Sequence, residues 1–183
     1  MPDFLTTDQK TALGSLVFNA GELEYTIDWM FALLLGVDKE LYTKLVDDRM
    51  LGWKLDAFKA FALTKLRTKR DRERFAEILD ELKGLNVERT TAVHGEWLPG
   101  GTGLTLSDFM GSGPFRPAVA RHRRRGSAKV LELKAERLQG IANRLDHSMG
   151  ALSSFFMHRM MRPRIRRALQ RAQQGAQKKT PAG

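Results

Sequence analysis

Residues 13–35 read LGSLVFNAGELEYTIDWMFALLL. Apolar side chains recur at Leu13, Val17, Ala20, Ile27, Phe31 and Leu34, with steps of three and four. That is the period of one face of an α-helix. The spacing predicts a long amphipathic helix over about 8–35, capped by Thr7 or Asp8 and ended by Gly36. Glu24 is the one interruption, flanked by Ala20 and Ile27 one turn either way. A carboxylate on such a seam must find a partner or hold its proton more tightly.

The same period runs on through the chain. Asp38 is placed to cap a helix over roughly 39–48. A third helix is predicted over about 50–66, with Leu51, Leu55, Phe58, Ala62 and Leu66 on one face. A fourth starts near Lys69 and carries Phe75, Leu79, Leu82 and Val93 inward, with Asn86 and Arg89 on the same seam; Gly95 stops it. Residues 95–117 then change character, with six glycines and with Pro99, Pro114 and Pro117. Trp97-Leu98 and Leu104-Thr105-Leu106, either side of Pro99–Gly103, suit a small hairpin or a loop. Ser127 is placed to cap a fifth helix over about 128–160, which Pro163 breaks or kinks. The fold expectation is all-α: a four- to five-helix bundle with an irregular or small β-hairpin insertion near 95–117. Residues 1–161 read as the helical bundle domain, and 162–183 as a basic, partly disordered C-terminal tail.

Composition narrows the function classes. The chain has 183 residues, 42 % of them hydrophobic and 28 % charged, which suits one soluble domain. It has no cysteine, so disulfides, thiolate metal sites and a cysteine nucleophile are excluded. The four histidines, 94, 122, 147 and 158, lack the i,i+4 ligand spacing, so a metal site is not expected. The Pro99–Gly103 stretch lacks the Lys-Ser/Thr ending of a phosphate loop. The longest apolar run, Trp29 to Val37, is far short of the ~20 residues of a membrane span. The opening MPDFLTTDQK carries no basic region followed by an apolar run, so a cytoplasmic protein is expected.

The charge is unevenly distributed. Residues 1–115 hold 14 basic and 18 acidic side chains, whereas residues 116–183 hold 17 basic and 3 acidic. Arg121, Arg123, Arg124 and Arg125 form one cluster. Arg159, Arg162, Arg164, Arg166, Arg167 and Arg171 form another with no acid between them. Clusters of this kind bind polyanions through counterion release, which points to nucleic acid. Phe155, Phe156, Met157, Met160 and Met161 precede the second cluster. An anionic membrane surface is therefore a rival partner, ranked lower because the upstream periodicity is that of a core helix.

The fourth helix ends Asn86-Val87-Glu88-Arg89-Thr90-Thr91-Ala92-Val93-His94-Gly95. A guanidinium on an inward seam requires a partner or a ligand. An imidazole in the last turn sits at the negative end of the helix dipole. A fixed cation beside a titratable imidazole is what phosphate-ester chemistry uses: one group holds the anionic oxygens, the other moves a proton. On an ideal helix the two residues lie about 140° apart, so they flank a groove rather than share a stripe. The competing reading pairs Arg89 with Glu24 or Glu88 and has His94 satisfying helix carbonyls. Glu24 is a candidate for orienting Arg89 or His94 across the bundle, against the plainer role of fixing helix register.

This Arg-x4-His motif at a helix end in an all-α chain resembles the HEPN superfamily of small helical domains. The string Glu22-Leu23-Glu24 followed by Arg89, His94-Gly95 and Trp97 also looks like a group of bacterial proteins of similar size. The HEPN resemblance covers the motif helix and, more loosely, residues 8–160. It implies a metal-independent endoribonuclease that dimerises, so that two Arg/His pairs line one RNA cleft; it implies no other cofactor, and an antitoxin or regulatory partner is a further implication. Arg89 and His94 take the catalytic positions, with Glu24, Asn86 and Thr90 as orienting candidates. Family members often carry Asn, Asp or His directly after the arginine, where this chain has Thr90, which donates a hydrogen bond but does no proton chemistry. The function expected is an RNA-binding, HEPN-like protein, as an endoribonuclease. The alternative is a non-catalytic helical interaction module whose Arg-rich C-terminus binds nucleic acid, an acidic partner or an anionic membrane surface.

Overall fold

The computed structural model describes residues 5–46, 49–94, 96–98, 118–122, 128–132 and 134–177. Helix α1 spans Thr7–Leu35. Its cap is Thr6, one residue earlier than expected. The Thr6 side chain accepts from the Gln9 N–H at 3.2 Å, and the Gln9 side chain accepts from the Thr6 N–H at 2.9 Å. This reciprocal box satisfies two of the donors left open at a helix start. At the other end Gly36 adopts φ 75° and donates to the Ala32 carbonyl, a left-handed cap that suits a residue without Cβ.

The buried face of α1 is Ala12, Leu16, Ala20, Leu23, Ile27, Met30, Phe31 and Leu34. Val17 is 43 % exposed, which corrects the first half of the expected seam. The helix is apolar at both 16 and 17, so a step rule fits two stripes one residue apart. Contact with the other helices selects the Leu16/Leu23 stripe. Glu24 consequently flanks the seam instead of interrupting it.

Helix α2 covers Lys39–Val46, and the Asp38 carboxylate accepts from the Glu40 N–H at 2.8 Å. Helix α3 covers Leu51–Leu63 and buries Leu51, Leu55, Phe58 and Ala62. Helix α4 covers Lys69–His94 and buries Phe75, Ile78, Leu79, Leu82, Leu85 and Ala92. Thr68 accepts from the Asp71 N–H at 3.0 Å at its start. Phe58 is fully buried at the centre of an aromatic cluster, with ring centroids 5.6 Å from Phe31, 5.6 Å from Phe75 and 6.1 Å from Phe156. These contacts tie α1, α3, α4 and the C-terminal helical region into one core.

Three short antiparallel strands follow α4: β1 Glu96–Leu98, β2 Ala118–His122 and β3 Ala128–Glu132, in the order β1-β2-β3. The hairpin considered within 95–117 is corrected. Trp97 faces Val119 and Leu98 faces Ala118, while Leu104–Leu106 lie outside the described residues. The expected helix over 128–160 is corrected too: residues 128–132 pair with β2, Leu131 opposite Val119. A five-residue piece with three apolar side chains is too short for its period to settle the matter, and the available strand partner decides.

Helix α5 spans Ala135–Phe155 and packs against both α1 and α4 through Leu138, Ile141, Ala142, Leu145 and Leu152. A π-helical turn, Phe156–Met161, follows, and then α6, Arg162–Gln177. The helix continues through Pro163, widening to a π turn immediately before it; of the tail expected to be partly disordered, residues 162–177 are helical and residues 178–183 lie outside the described residues. Pro163 is the second residue of α6, where a missing N–H is tolerated. The wide turn before it makes room for the ring. The described residues thus form a helical bundle. Among them no helix is long and apolar enough to cross a membrane.

Candidate functional site

The last three turns of α4 set one wall of a cavity of about 660 Å³, and Glu24 of α1 reaches it from the facing helix. Asn86, Arg89, Thr90 and His94 all line this cavity. The five candidate site residues of the motif region therefore converge on one space, although Arg89 and His94 stand five positions apart on the helix.

Their chemical situations differ. Arg89 is half-buried, and its Nε is buried with no hydrogen-bond partner among the described residues. Three positions earlier, Asn86 Oδ1 is likewise buried and unpartnered. Thr90 is committed locally: its hydroxyl donates to the Asn86 carbonyl at 2.7 Å. His94 is exposed at the end of α4.

Glu24 takes a partner that periodicity did not identify. Lys54 Nζ lies 2.8 Å from Glu24 Oε1 and 2.9 Å from Asp28 Oδ2, and the lysine side chain is only 4 % exposed. Burial by itself would lower the Lys54 pKa. The hydrogen bonds and charges of Glu24 and Asp28 outweigh it and hold the ammonium above its ordinary value. The competing reading offered Glu24 or Glu88 as a partner for Arg89; Glu24 instead pairs with Lys54. One observable signal pointed to it: Lys54 lies three residues after Leu51 and four before Phe58 on the buried face of α3, and Glu24 and Asp28 are one turn apart on α1. Asp28 also borders Tyr42. Burial, and then the Asp28 carboxylate, push the Tyr42 hydroxyl far above the phenol range.

Two further side chains with functional chemistry line the cavity and were absent from the motif. Arg49 and Trp53 line it from the segment that leads into α3 and from its first turn. The Arg49 guanidinium carbon lies 5.5 Å from the centroid of the Trp53 ring, within cation–π range. The cavity therefore combines two guanidinium groups, an imidazole and a tryptophan.

The basic clusters have separate fates. Arg159 pairs with Asp71 at 3.5 Å, and Arg164 donates to the Leu34 carbonyl at 3.4 Å. These two fasten the C-terminal helical segment to α4 and α1. Arg162, Arg166 and Arg167 are exposed and border a shallow groove of α6 together with Ile165 and Leu169. Arg121 belongs to β2 and Arg171 to α6, both described through the backbone. Arg123, Arg124 and Arg125 lie outside the described residues.

No family model, curated protein or solved structure matches the chain. The side chains around the cavity are therefore the ground for a functional reading.

Proposed function

We propose that the chain is an RNA-binding, HEPN-like protein that acts as an endoribonuclease, with Arg89 and His94 as its catalytic pair. The observation that carries this reading is that both groups line one open cavity while the Arg89 Nε has no partner among the described residues. Lys54 contributes indirectly. By holding Glu24, it keeps a carboxylate that lines the same cavity from neutralising the guanidinium.

In the reaction, the 2′-oxygen of one nucleotide attacks the adjacent phosphorus. A 2′,3′-cyclic phosphate forms, the P–O5′ bond breaks, and the 5′-oxygen leaves as a hydroxyl. His94 moves a proton, either from the attacking hydroxyl or to the leaving oxygen. Arg89 binds the charge that builds on the phosphoryl oxygens. Thr90 and Asn86 organise the helix behind Arg89. The exposed arginines of α6 hold the RNA backbone, and a homodimer supplies a second Arg/His pair.

The test is cleavage of single-stranded RNA by purified protein in the presence of EDTA, beside His94→Ala and Arg89→Ala. Each substitution is expected to lower turnover by about 10²-fold or more. Equal cleavage by all three proteins would remove both assignments.

A second reading is favoured by a specific observation: Arg162, Arg166 and Arg167 are exposed along one helix. On that reading the protein binds RNA through α6 without cutting it. It predicts salt-sensitive binding, no cleavage product, and an affinity insensitive to Arg89→Ala.

A further inference from the structure

We propose that the Arg89/His94 cavity contains a nucleobase subsite, in which an unpaired base of single-stranded RNA stacks on the Trp53 indole beside the phosphate on Arg89. This rests on the reading of the cavity as a phosphate site and specifies what else the site takes.

Three observations carry it. The cavity, at about 660 Å³, is far larger than a phosphate group requires and falls in the range of sites that enclose a whole organic ligand. Trp53 lines it and keeps 47 % of its surface exposed. An indole half-open to solvent in the first turn of a helix contributes little to the core, and a flat aromatic face is what an unstacked base seeks. Arg49 lies against that ring and steadies it.

The third observation is chemical. Arg89 and Asn86 line the α4 wall of the cavity. The Arg89 Nε and Asn86 Oδ1 are buried within that wall and unpartnered among the described residues, so a ligand in the cavity meets the outer guanidinium nitrogens of Arg89. A guanidinium suits the oxygens of a phosphate, and the open Trp53 face suits the base that the same nucleotide carries. The base must be unpaired, because duplex RNA keeps its bases stacked and out of reach of a side pocket.

The experiment measures binding of a 2′-O-methyl trinucleotide, which lacks the attacking hydroxyl, and of the same ribose-phosphate backbone without bases. Titration calorimetry on full-length wild type, Trp53→Phe, Trp53→Ala and Arg89→Ala gives the affinity ratio of the two strands for each protein. Contacts to α6 are common to both strands and cancel in the ratio, as does any loss of folded protein. Wild type is expected to favour the base-bearing strand about fivefold to a hundredfold. Trp53→Phe keeps most of that preference and Trp53→Ala erases it. Equal binding of the two strands by wild type, or a preference that survives Trp53→Ala, overturns the base subsite. Arg89→Ala separates this failure from that of the parent reading. Weakened binding of both strands by this variant supports the phosphate site. Unchanged binding of both removes the phosphate site, and the base subsite with it.

Discussion

The molecule holds arginines in two contrasting settings. Arg89 is half-buried at a cavity wall with a buried, unpartnered Nε, close to an imidazole and a tryptophan. Arg162, Arg166 and Arg167 stand exposed along α6, one beside the next, with no imidazole in their groove. The first setting places one cation where desolvation strengthens every interaction it makes. The second places several where water and salt screen each of them. On the proposed reading, position would give the cavity its chemistry, while number would give α6 its affinity for a polyanion.

The largest expected effect lies on the cavity side. Arg89→Ala and His94→Ala lower RNA turnover by about 10²-fold or more. A triple Arg162/Arg166/Arg167→Gln variant leaves turnover at saturating RNA nearly unchanged. If the triple variant loses turnover and Arg89→Ala does not, the contrast is inverted and the cavity is not the reaction centre.

Next comes the ion cluster behind the cavity. Lys54→Met leaves Asp28 and Glu24 without their cation, one of them largely buried, and is expected to cost about 3 kcal/mol in urea unfolding. Glu24→Gln keeps the Lys54–Asp28 pair and removes only a partly exposed charge, so its cost is about 1 kcal/mol or less. Equal losses in the two variants would mean that Lys54 is not the hub of the cluster.

A smaller effect is read in the salt dependence of RNA binding. The triple Gln variant removes three screened charges, and the slope of log affinity against log salt should shrink by about 2 for single strands. Arg89→Ala should shrink it by no more than about 1. Filter binding at four salt concentrations distinguishes them, and equal slopes for the wild type and the triple variant would detach α6 from RNA.

The smallest effect concerns alkaline pH. The folded pKa values of Tyr42 and Lys54 are both raised. A raised folded pKa means that the stabilising contribution is complete below the unfolded value and is lost as pH climbs through the folded one. Stability should therefore be flat with respect to these groups near neutral pH and decline above about pH 10, where an unfolded tyrosine ionises. Tyr42→Phe should flatten the alkaline decline, measured as unfolding midpoints from pH 8 to 11. An unaltered decline would assign it elsewhere.

Much of the helical frame was legible because its determinants are local. Gly36 closes α1, Asp38 starts α2 and His94 ends α4, each readable from a few neighbouring residues. The convergence of Asn86, Arg89, Thr90 and His94 followed from their place on one helix end. Other features depended on partners distant in the chain. Whether Leu16 or Val17 faces inward is decided by what packs on α1. Residues 128–132 form a strand because β2 is beside them. Lys54 meets Glu24 across 30 positions, and Arg49 and Trp53 reach the cavity from another helix entry. No local period encodes such meetings. Pro163 left a break or a kink open for a different reason: the cost of a proline depends on its place within the helix, and here the chain takes a π turn ahead of it and stays helical.

The most direct test of the central claim watches His94 itself. The ring protons of the four histidines are followed by NMR while a 2′-O-methyl trinucleotide is added, with His94→Gln identifying the His94 signal. Arg89 and His94 sharing one phosphate cavity predicts a saturable shift of the His94 resonance in the wild type that is lost in Arg89→Ala. A His94 signal that stays fixed while the trinucleotide binds, or that moves equally with and without Arg89, would contradict it.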